Sequence, residues 1–285
     1  MKRLIPIIPV LILVLILSFT PACKAVPDPQ ELVSACRGGN PEKVEKLLKQ
    51  GVDIDAKDAT EQTALMAAAY VGHNEVVELL LDYGADIDAA DYEGLTALMW
   101  TTAKCQKETA RLLIDYGADI NIQNLFGRRA LDGAAWFGCP EIAKLLIESG
   151  ADIEAKGNQG RTALMWTAEH GQAETADFLL DNGADINAID DSGVTTLMLA
   201  SFYDQTEIAA LLIDRGADID IVDDKGFTPL MWAAEFGCTE TAKLLIENGV
   251  DITKECNNGK TALMYAEDMG YTEIVDLLKV AGAQE

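Results

Sequence analysis

Few residues of this chain have the types and spacings that chemistry requires. Its 285 residues contain two histidines, His73 and His170, far apart in sequence. No Ser/His/Asp set, glycine-rich phosphate loop or His-Glu-x-x-His pair occurs, so the usual signatures of nucleophilic, phosphoryl and zinc catalysis are missing. None of the six cysteines has the Cys-x-x-Cys or Cys/His spacing of a zinc site. Acids are plentiful, and Asp190-Asp191 and Asp223-Asp224 offer adjacent carboxylates of the kind that ligate Ca²⁺. Their spacing is not that of a calcium loop. The residues therefore predict a non-enzymatic protein with no cofactor and no metal.

The elements that carry these residues repeat. Thr63-Ala64-Leu65-Met66 returns at Thr96, Thr162, Thr195 (Thr-Thr-Leu-Met), Thr228 (Thr-Pro-Leu-Met) and Thr261, always in one 33-residue phase. The altered copy Arg129-Ala130-Leu131-Asp132 keeps that phase. A fixed period of this size means stacked supersecondary units and one extended surface. In residues 91–123, Asp91-Tyr92-Glu93-Gly94 reads as a turn, with Gly able to take positive φ. Thr96 stands at a helix N-cap, and Ala97–Ala103 is a short apolar helix. A break follows at Lys104-Cys105-Gln106, where other units have Gly72, Gly138, Gly171, Gly237 and Gly270. Glu108–Tyr116 is a second helix, closed by Gly117. Glu in its first turn, from Glu42 through Glu273, complements the positive helix end. The recurrent Asp of phrases such as Gly84-Ala85-Asp86-Ile87 reads as turn chemistry.

Turn, helix, turn, helix in 33 residues, with these opening and closing phrases, resembles the ankyrin repeat. The resemblance implies an all-α fold: a solenoid of about eight 33-residue helix-turn-helix units joined by β-turns. The expected organisation is a signal peptide at 1–22 and a repeat domain at 23–285. Within the domain come a capping repeat at about 25–57, repeats 58–90, 91–123, 124–156, 157–189, 190–222 and 223–255, and a final unit 256–285. Where the family usually has His after Thr-Pro-Leu, this chain has Met66, Met99, Met165, Met198, Met231 and Met264, which replace hydrogen bonding by adaptable apolar packing. In the altered unit, Arg129 stands for the capping Thr, Asp132 for Met, and Gly133 weakens the helix; this is either neutral drift with polar compensation or, with Phe126 and Trp136 beside it, stability given up for binding, in which case the repeat 124–156 opens before its neighbours.

Ankyrin proteins grip partners on a concave groove lined by first-helix ends and turn tips. Carried over by position, the resemblance places Tyr70, Trp136, Phe137, Phe202, Tyr203 and Phe236 at helix ends and Tyr92, Phe126 and Phe227 at turns. Aromatic residues are 6% of the chain, so their concentration in this band points to partner contact. A second pattern has a period of two units: Trp100, Trp166 and Trp232 occur in alternate repeats, which also carry Thr109, Thr175 and Thr241 in the second helix. It reads first as volume compensation in a core. A row of exposed anchors is the other reading.

The net charge is −25, and without residues 1–22 it is 20 basic against 47 acidic residues. That argues against nucleic acid and favours solubility or the steering of a basic partner. The function expected is an interaction module, a scaffold or an inhibitor, with a protein partner. An enzyme or calcium-dependent binding protein with a site on the groove is the alternative.

At the N-terminus, Lys2 and Arg3 precede an apolar run from Leu4 to Phe19 and then Thr20-Pro21-Ala22-Cys23. These are the three parts of a secretory signal. Cys23 after a small residue resembles the lipobox of bacterial lipoproteins, which implies lipid attachment at Cys23; Lys24 after it leans toward the outer membrane. Cleavage near Ala22 or Ala25, or retention as an anchor, are the alternatives. The membrane is met only through this segment, and the expected location is the periplasm or outer membrane.

Five cysteines remain after Cys23, so at least one is unpaired. Neighbouring repeats stack about 10 Å apart, beyond the roughly 7 Å that Cα atoms of a disulfide allow. Equivalent positions on neighbours therefore cannot bridge. Cys105 and Cys139, offset by one position, are the pair to examine.

Overall fold

A computed structural model describes residues 27–283; the signal segment 1–22 and Cys23 lie outside the described residues. Sixteen α-helices run as eight pairs: α1 (Pro29–Arg37) with α2 (Pro41–Lys49), α3 (Ala64–Val71) with α4 (Asn74–Asp82), α5 (Ala97–Thr102) with α6 (Lys107–Asp115), and α7 (Ala130–Phe137) with α8 (Pro140–Glu148). There follow α9 (Ala163–His170) with α10 (Ala173–Asp181), α11 (Thr196–Phe202) with α12 (Thr206–Asp214), α13 (Pro229–Phe236) with α14 (Thr239–Glu247), and α15 (Ala262–Met269) with α16 (Thr272–Val280). Each first helix packs on the first helices before and after it, and the second helices stack likewise. The described residues contain no strand, only an isolated bridge between Ile189 and Thr195.

Local chemistry sets the ends of each helix. The Thr63 hydroxyl accepts the Met66 N–H at 3.3 Å, and Thr96, Thr195, Thr228 and Thr261 cap their helices in the same way. First helices are short and rich in Ala: Ala64 through Ala69 are all buried, because neighbours press on both sides. Met66, Met165, Met198 and Met231 are almost fully buried and Met99 is buried, so these methionines are core residues, while Met264 in the last unit is half-buried. Second helices bury one face only, as Val76, Val77 and Leu80 do in α4.

The turns are held by a buried side-chain oxygen. Asp91 Oδ1 accepts the N–H groups of Glu93 and Leu95, each at 2.9 Å. Asp58, Asn124, Asp190 and Asp223 do the same in their repeats. Successive turns are joined by backbone bonds such as Leu125 N–H to Glu93 O at 2.9 Å. Gly94, at φ 80°, is required there: a Cβ would meet Asn124 Cα and Leu125 N of the next turn at 3.0 Å. The second Asp ladder does more than shape its own turn. Asp55 and Asp88 each accept an N–H from the following repeat, at Asp86 and Asp119.

A further inter-repeat link lies at the helix breaks. Gln106 reaches back over Gly72 and donates to the Val71 carbonyl at 2.9 Å; Gln172 does so over Gly138 to Trp136 O at 3.3 Å. Between these two junctions the link is covalent. Cys105, at φ 50° in the slot that Gly holds elsewhere, forms a disulfide with Cys139, with Cα atoms 5.4 Å apart. Cys36, Cys238 and Cys256 are free and buried, and burial pushes the Cys36 thiol up to about 12.

Reduction of this bridge, or Cys139→Ser, is expected to lower unfolding free energy by about 2–4 kcal/mol. Urea unfolding with and without dithiothreitol measures it. Cys105→Gly with Cys139→Gln installs the Gly/Gln link of the flanking junctions and should recover part of the loss.

Candidate partner-binding surface

The alternate Trp residues and the helix-end rings occupy first-helix positions three residues apart, so they share one face. The structure joins them across repeat boundaries. Tyr70 meets Trp100 edge-on with centroids 5.5 Å apart, Trp136 meets Trp166 at 5.4 Å, and Phe202 meets Trp232 at 5.5 Å. The two-repeat period is thus a ring pair in which the helix end of one unit packs on the Trp slot of the next. The Trp stripe is neither a separate core nor a separate row of anchors. The hydroxyls of Thr109 and Thr241 bond instead to Asn74 and Asp204 of the preceding units.

Within this layer the rings differ in exposure. Trp166 is 6% exposed, while Trp100, Trp136 and Trp232 are half-buried, as are Tyr70, Phe202 and Tyr203. Tyr92 at 62%, Phe126 at 54%, Phe137 at 46% and Phe236 at 44% stand in solvent. Phe227, expected at the surface, is buried. It packs on Trp232 and Tyr265 with centroids 5.8 and 4.9 Å away, so it supports the groove from beneath.

The residue before each capping position also belongs to this surface, and apart from Phe227 the sequence reading missed it. Leu95, Arg128, Arg161, Phe227 and Lys260 share that slot. Arg161 lies over Trp166 at 5.0 Å and pairs with Glu169 at 3.2 Å and Asp190 at 3.9 Å. The Arg128 guanidinium lies over Trp136 and Trp166 at 4.1 and 4.2 Å. Cations at Arg128, Arg161 and Lys260 in the phase that holds Leu95, Val194 and Phe227 in other repeats were the available signal.

Ring pairs occupy alternate junctions, and those between them carry Arg37 with Ala67, Ala103 with Gly133, Glu169 with Leu199 and Glu235 with Tyr265. Ala103 and Gly133 are the smallest of these pairs, and with Thr102, whose Oγ1 a Cβ on Gly133 would meet at 2.7 Å, they line an open cavity of about 260 Å³ between α5 and α7. Its lining includes Leu95, Met99, Trp100, Phe126, Trp136 and Phe137, with Glu93, Arg128 and Arg129 as its charged members.

The altered repeat compensates for its lost cap. Asp132 Oδ2 accepts the Arg129 N–H at 2.7 Å, closing the helix start from the opposite side. Asp132 is only 2% exposed, and burial raises its carboxyl to about 6 against the opposing pull of the Arg129 N–H and the Arg129 and Arg128 charges.

Chemistry elsewhere on the surface is occupied by structure. The His73 ring faces the Arg37 carbonyl, and His170 packs on Trp136 with centroids 4.0 Å apart. Asp190 and Asp223 hold turn amides. Among the described residues no three His, Cys, Asp or Glu side chains converge as metal ligands.

A family model described as ankyrin repeats in three copies matches residues 32–124, 131–223 and 216–284. The chain belongs to the ankyrin-repeat family. Comparison with curated proteins gives no match. Ankyrin repeats generally mediate protein–protein interaction and are typically non-enzymatic. In this ankyrin-repeat protein, the exposed rings and the cavity occupy the first-helix and turn face.

Two expectations follow. Trp166→Ala should cost about 3–5 kcal/mol in urea unfolding, as a large buried ring does. Phe137→Ala should stay within about 0.5 kcal/mol, as exposed positions do. For Asp132, the folded pKa lies above the unfolded one. The folded state therefore binds more protons between about pH 4 and pH 6, and stability falls as pH rises through that window. The penalty is then constant, on the order of 3 kcal/mol. Asp132→Asn keeps an acceptor for Arg129 and should match the parent near pH 4 but exceed it in stability at pH 7. A less stable variant at pH 7 would refute this.

Proposed function

We propose that this ankyrin-repeat protein is an exported, non-enzymatic interaction module, a scaffold or an inhibitor of the bacterial cell envelope. It binds a protein partner on the concave face formed by its first helices and turns. One observation carries this reading: Tyr92, Phe126, Phe137 and Phe236 stand exposed on the same face as the open cavity. Exposed rings around a concavity are the usual makings of a binding hot spot. The charge of −25 steers a basic partner toward the molecule and makes association salt-sensitive.

Export is supported at both ends of the argument. Lys2, Arg3, the apolar run Leu4–Phe19 and Cys23 have the order of a lipoprotein signal. The Cys105–Cys139 disulfide fits an oxidising compartment, since such bonds are rare in a reducing cytosol. The protein is then lipid-anchored at Cys23 in the periplasm or outer membrane.

Affinity capture from envelope extract tests the binding face. Phe126→Ala with Phe137→Ala should weaken partner capture by about 2 kcal/mol or more, with melting nearly unchanged. Equal capture by the parent and the double variant would remove the face from consideration. For the anchor, Cys23→Ser should shift the protein from the membrane to the soluble fraction. An unshifted variant would rule out lipidation at Cys23.

A further inference from the structure

We propose that the cavity between α5 and α7 is a specificity pocket for a carboxylate-bearing peptide segment of the partner: an apolar side chain fills the space beside Ala103, and the Arg128 guanidinium binds a carboxylate next to it. This rests on the interaction reading above and narrows it to one class of ligand.

The first support is the small pair at this junction. Ring pairs fill the same two positions at alternate junctions, by Tyr70 with Trp100, Trp136 with Trp166 and Phe202 with Trp232, and the junctions between them elsewhere carry at least one larger side chain, Arg37, Glu169 with Leu199 or Glu235 with Tyr265. Ala103 and Gly133 are both small, and the apolar walls of Met99, Trp100 and Trp136 stand beside them. The void of about 260 Å³ is below the roughly 300–1,000 Å³ of pockets for drug-sized ligands. It has the scale of a side chain, inserted from a partner that covers the exposed rings around it.

The second support is charge. Cations in the slot before the helix cap pair with an acid eight residues on: Arg161 with Glu169 at 3.2 Å and Lys260 with Asp268 at 2.6 Å. Arg161 has a further acid in the next turn, Asp190. For Arg128 the two corresponding positions are Trp136 and Gly157, and neither is acidic. Among the described residues the Arg128 guanidinium makes no hydrogen bond or ion pair, and its Nε is buried without a partner. The guanidinium is thus held over two indoles with no acid of the chain paired to it, its Nε buried and its terminal N–H groups without a protein acceptor. A buried donor left unmet is costly, and a carboxylate is the group that satisfies the fork two bonds at a time. The other charges of the lining are engaged. Glu93 accepts from the Tyr92 hydroxyl at 2.9 Å, and Arg129 Nη1 donates to Lys156 O at 3.2 Å. In a chain of charge −25, this unpaired cation at a hydrophobic pocket selects an acid where the wider surface repels one.

The carboxylate can come from an acidic side chain or from a chain terminus. Three blocked hexapeptides separate these sources: a C-terminal amide containing phenylalanine followed by aspartate, the same amide with asparagine, and a peptide ending in phenylalanine with a free carboxyl. Binding to the full chain is read by titration calorimetry up to millimolar concentration. At least one carboxylate peptide should bind about tenfold or more tighter than the asparagine amide. The preferred one names the source. Arg128→Gln should erase that ratio. Ala103→Tyr places in the slot the residue that Tyr70 already is, and it should block all three peptides while the protein remains folded. Equal affinities for acid and amide peptides overturn the carboxylate assignment. Binding unaffected by Ala103→Tyr, or no binding by any peptide, overturns the pocket. If the pocket fails here but Phe126→Ala with Phe137→Ala still loses the partner, the interaction reading stands without it.

Discussion

No helix pair of this chain can bury its own apolar surface. The first helices are nearly all apolar, and Ala64 through Ala69 are buried on every side. Such a helix is stable only when another lies on each flank, so every repeat depends on its neighbours and the ends must differ from the middle. The remaining devices serve this nearest-neighbour requirement. A side-chain oxygen fixes each turn so that it can bond to the next, as Asp91 and Asn124 do. Asp55 and Asp88 tie consecutive loops, and a residue at the start of each second helix reaches back over the preceding break. Small residues in the first helices let the units approach. Gly133 is one such residue, since a Cβ there would meet Thr102 Oγ1 of the preceding unit at 2.7 Å.

Much of this was legible in the sequence because the fold is specified locally. The 33-residue phase, the capping Thr, the break glycines and the amphipathic second helices each act within one unit. Their assignments agree with the helices to within a residue or so, as with α5 at Ala97–Thr102. The Cys105–Cys139 pair was also accessible, since repeat spacing restricts which offsets can bridge. What could not be read acts between units. Tyr70 and Trp100 meet because one repeat ends where the next begins, a relation hidden when each Trp is compared with its own repeat. The same holds for Phe227, whose burial comes from Trp232 and from Tyr265 of the following unit. Arg128 looks like any solvent-facing cation until the acids that serve Arg161 are seen to be missing around it.

The repeat 124–156 concentrates the departures from the common pattern. It loses the Thr cap, buries a carboxyl at Asp132, holds Gly133 where the other Trp-free units have Ala67, Leu199 and Tyr265, and gains a covalent link through Cys139. In a stack stabilised by neighbour contacts, weakness in one unit stays local and does not spread through a shared core. The disulfide links the two units at the junction with the smallest pair, Ala103 and Gly133. Stability and an open pocket are thereby reconciled in a single unit, while the flanking repeats keep the regular pattern.

The bridge also changes how the stack carries mechanical load. In an unlinked solenoid, tension on the termini peels repeats away one after another, each surrendering its full contour. Here force arriving at residue 105 crosses directly to residue 139, and the 34-residue span between them is out of the load path. At about 3.3–3.6 Å per extended residue, roughly 110–120 Å of chain cannot be drawn out until the sulfurs part. The pocket's floor, Gly133, lies inside that sheltered span. A pulled molecule would therefore lengthen from its ends and retain the backbone of this unit as a closed loop.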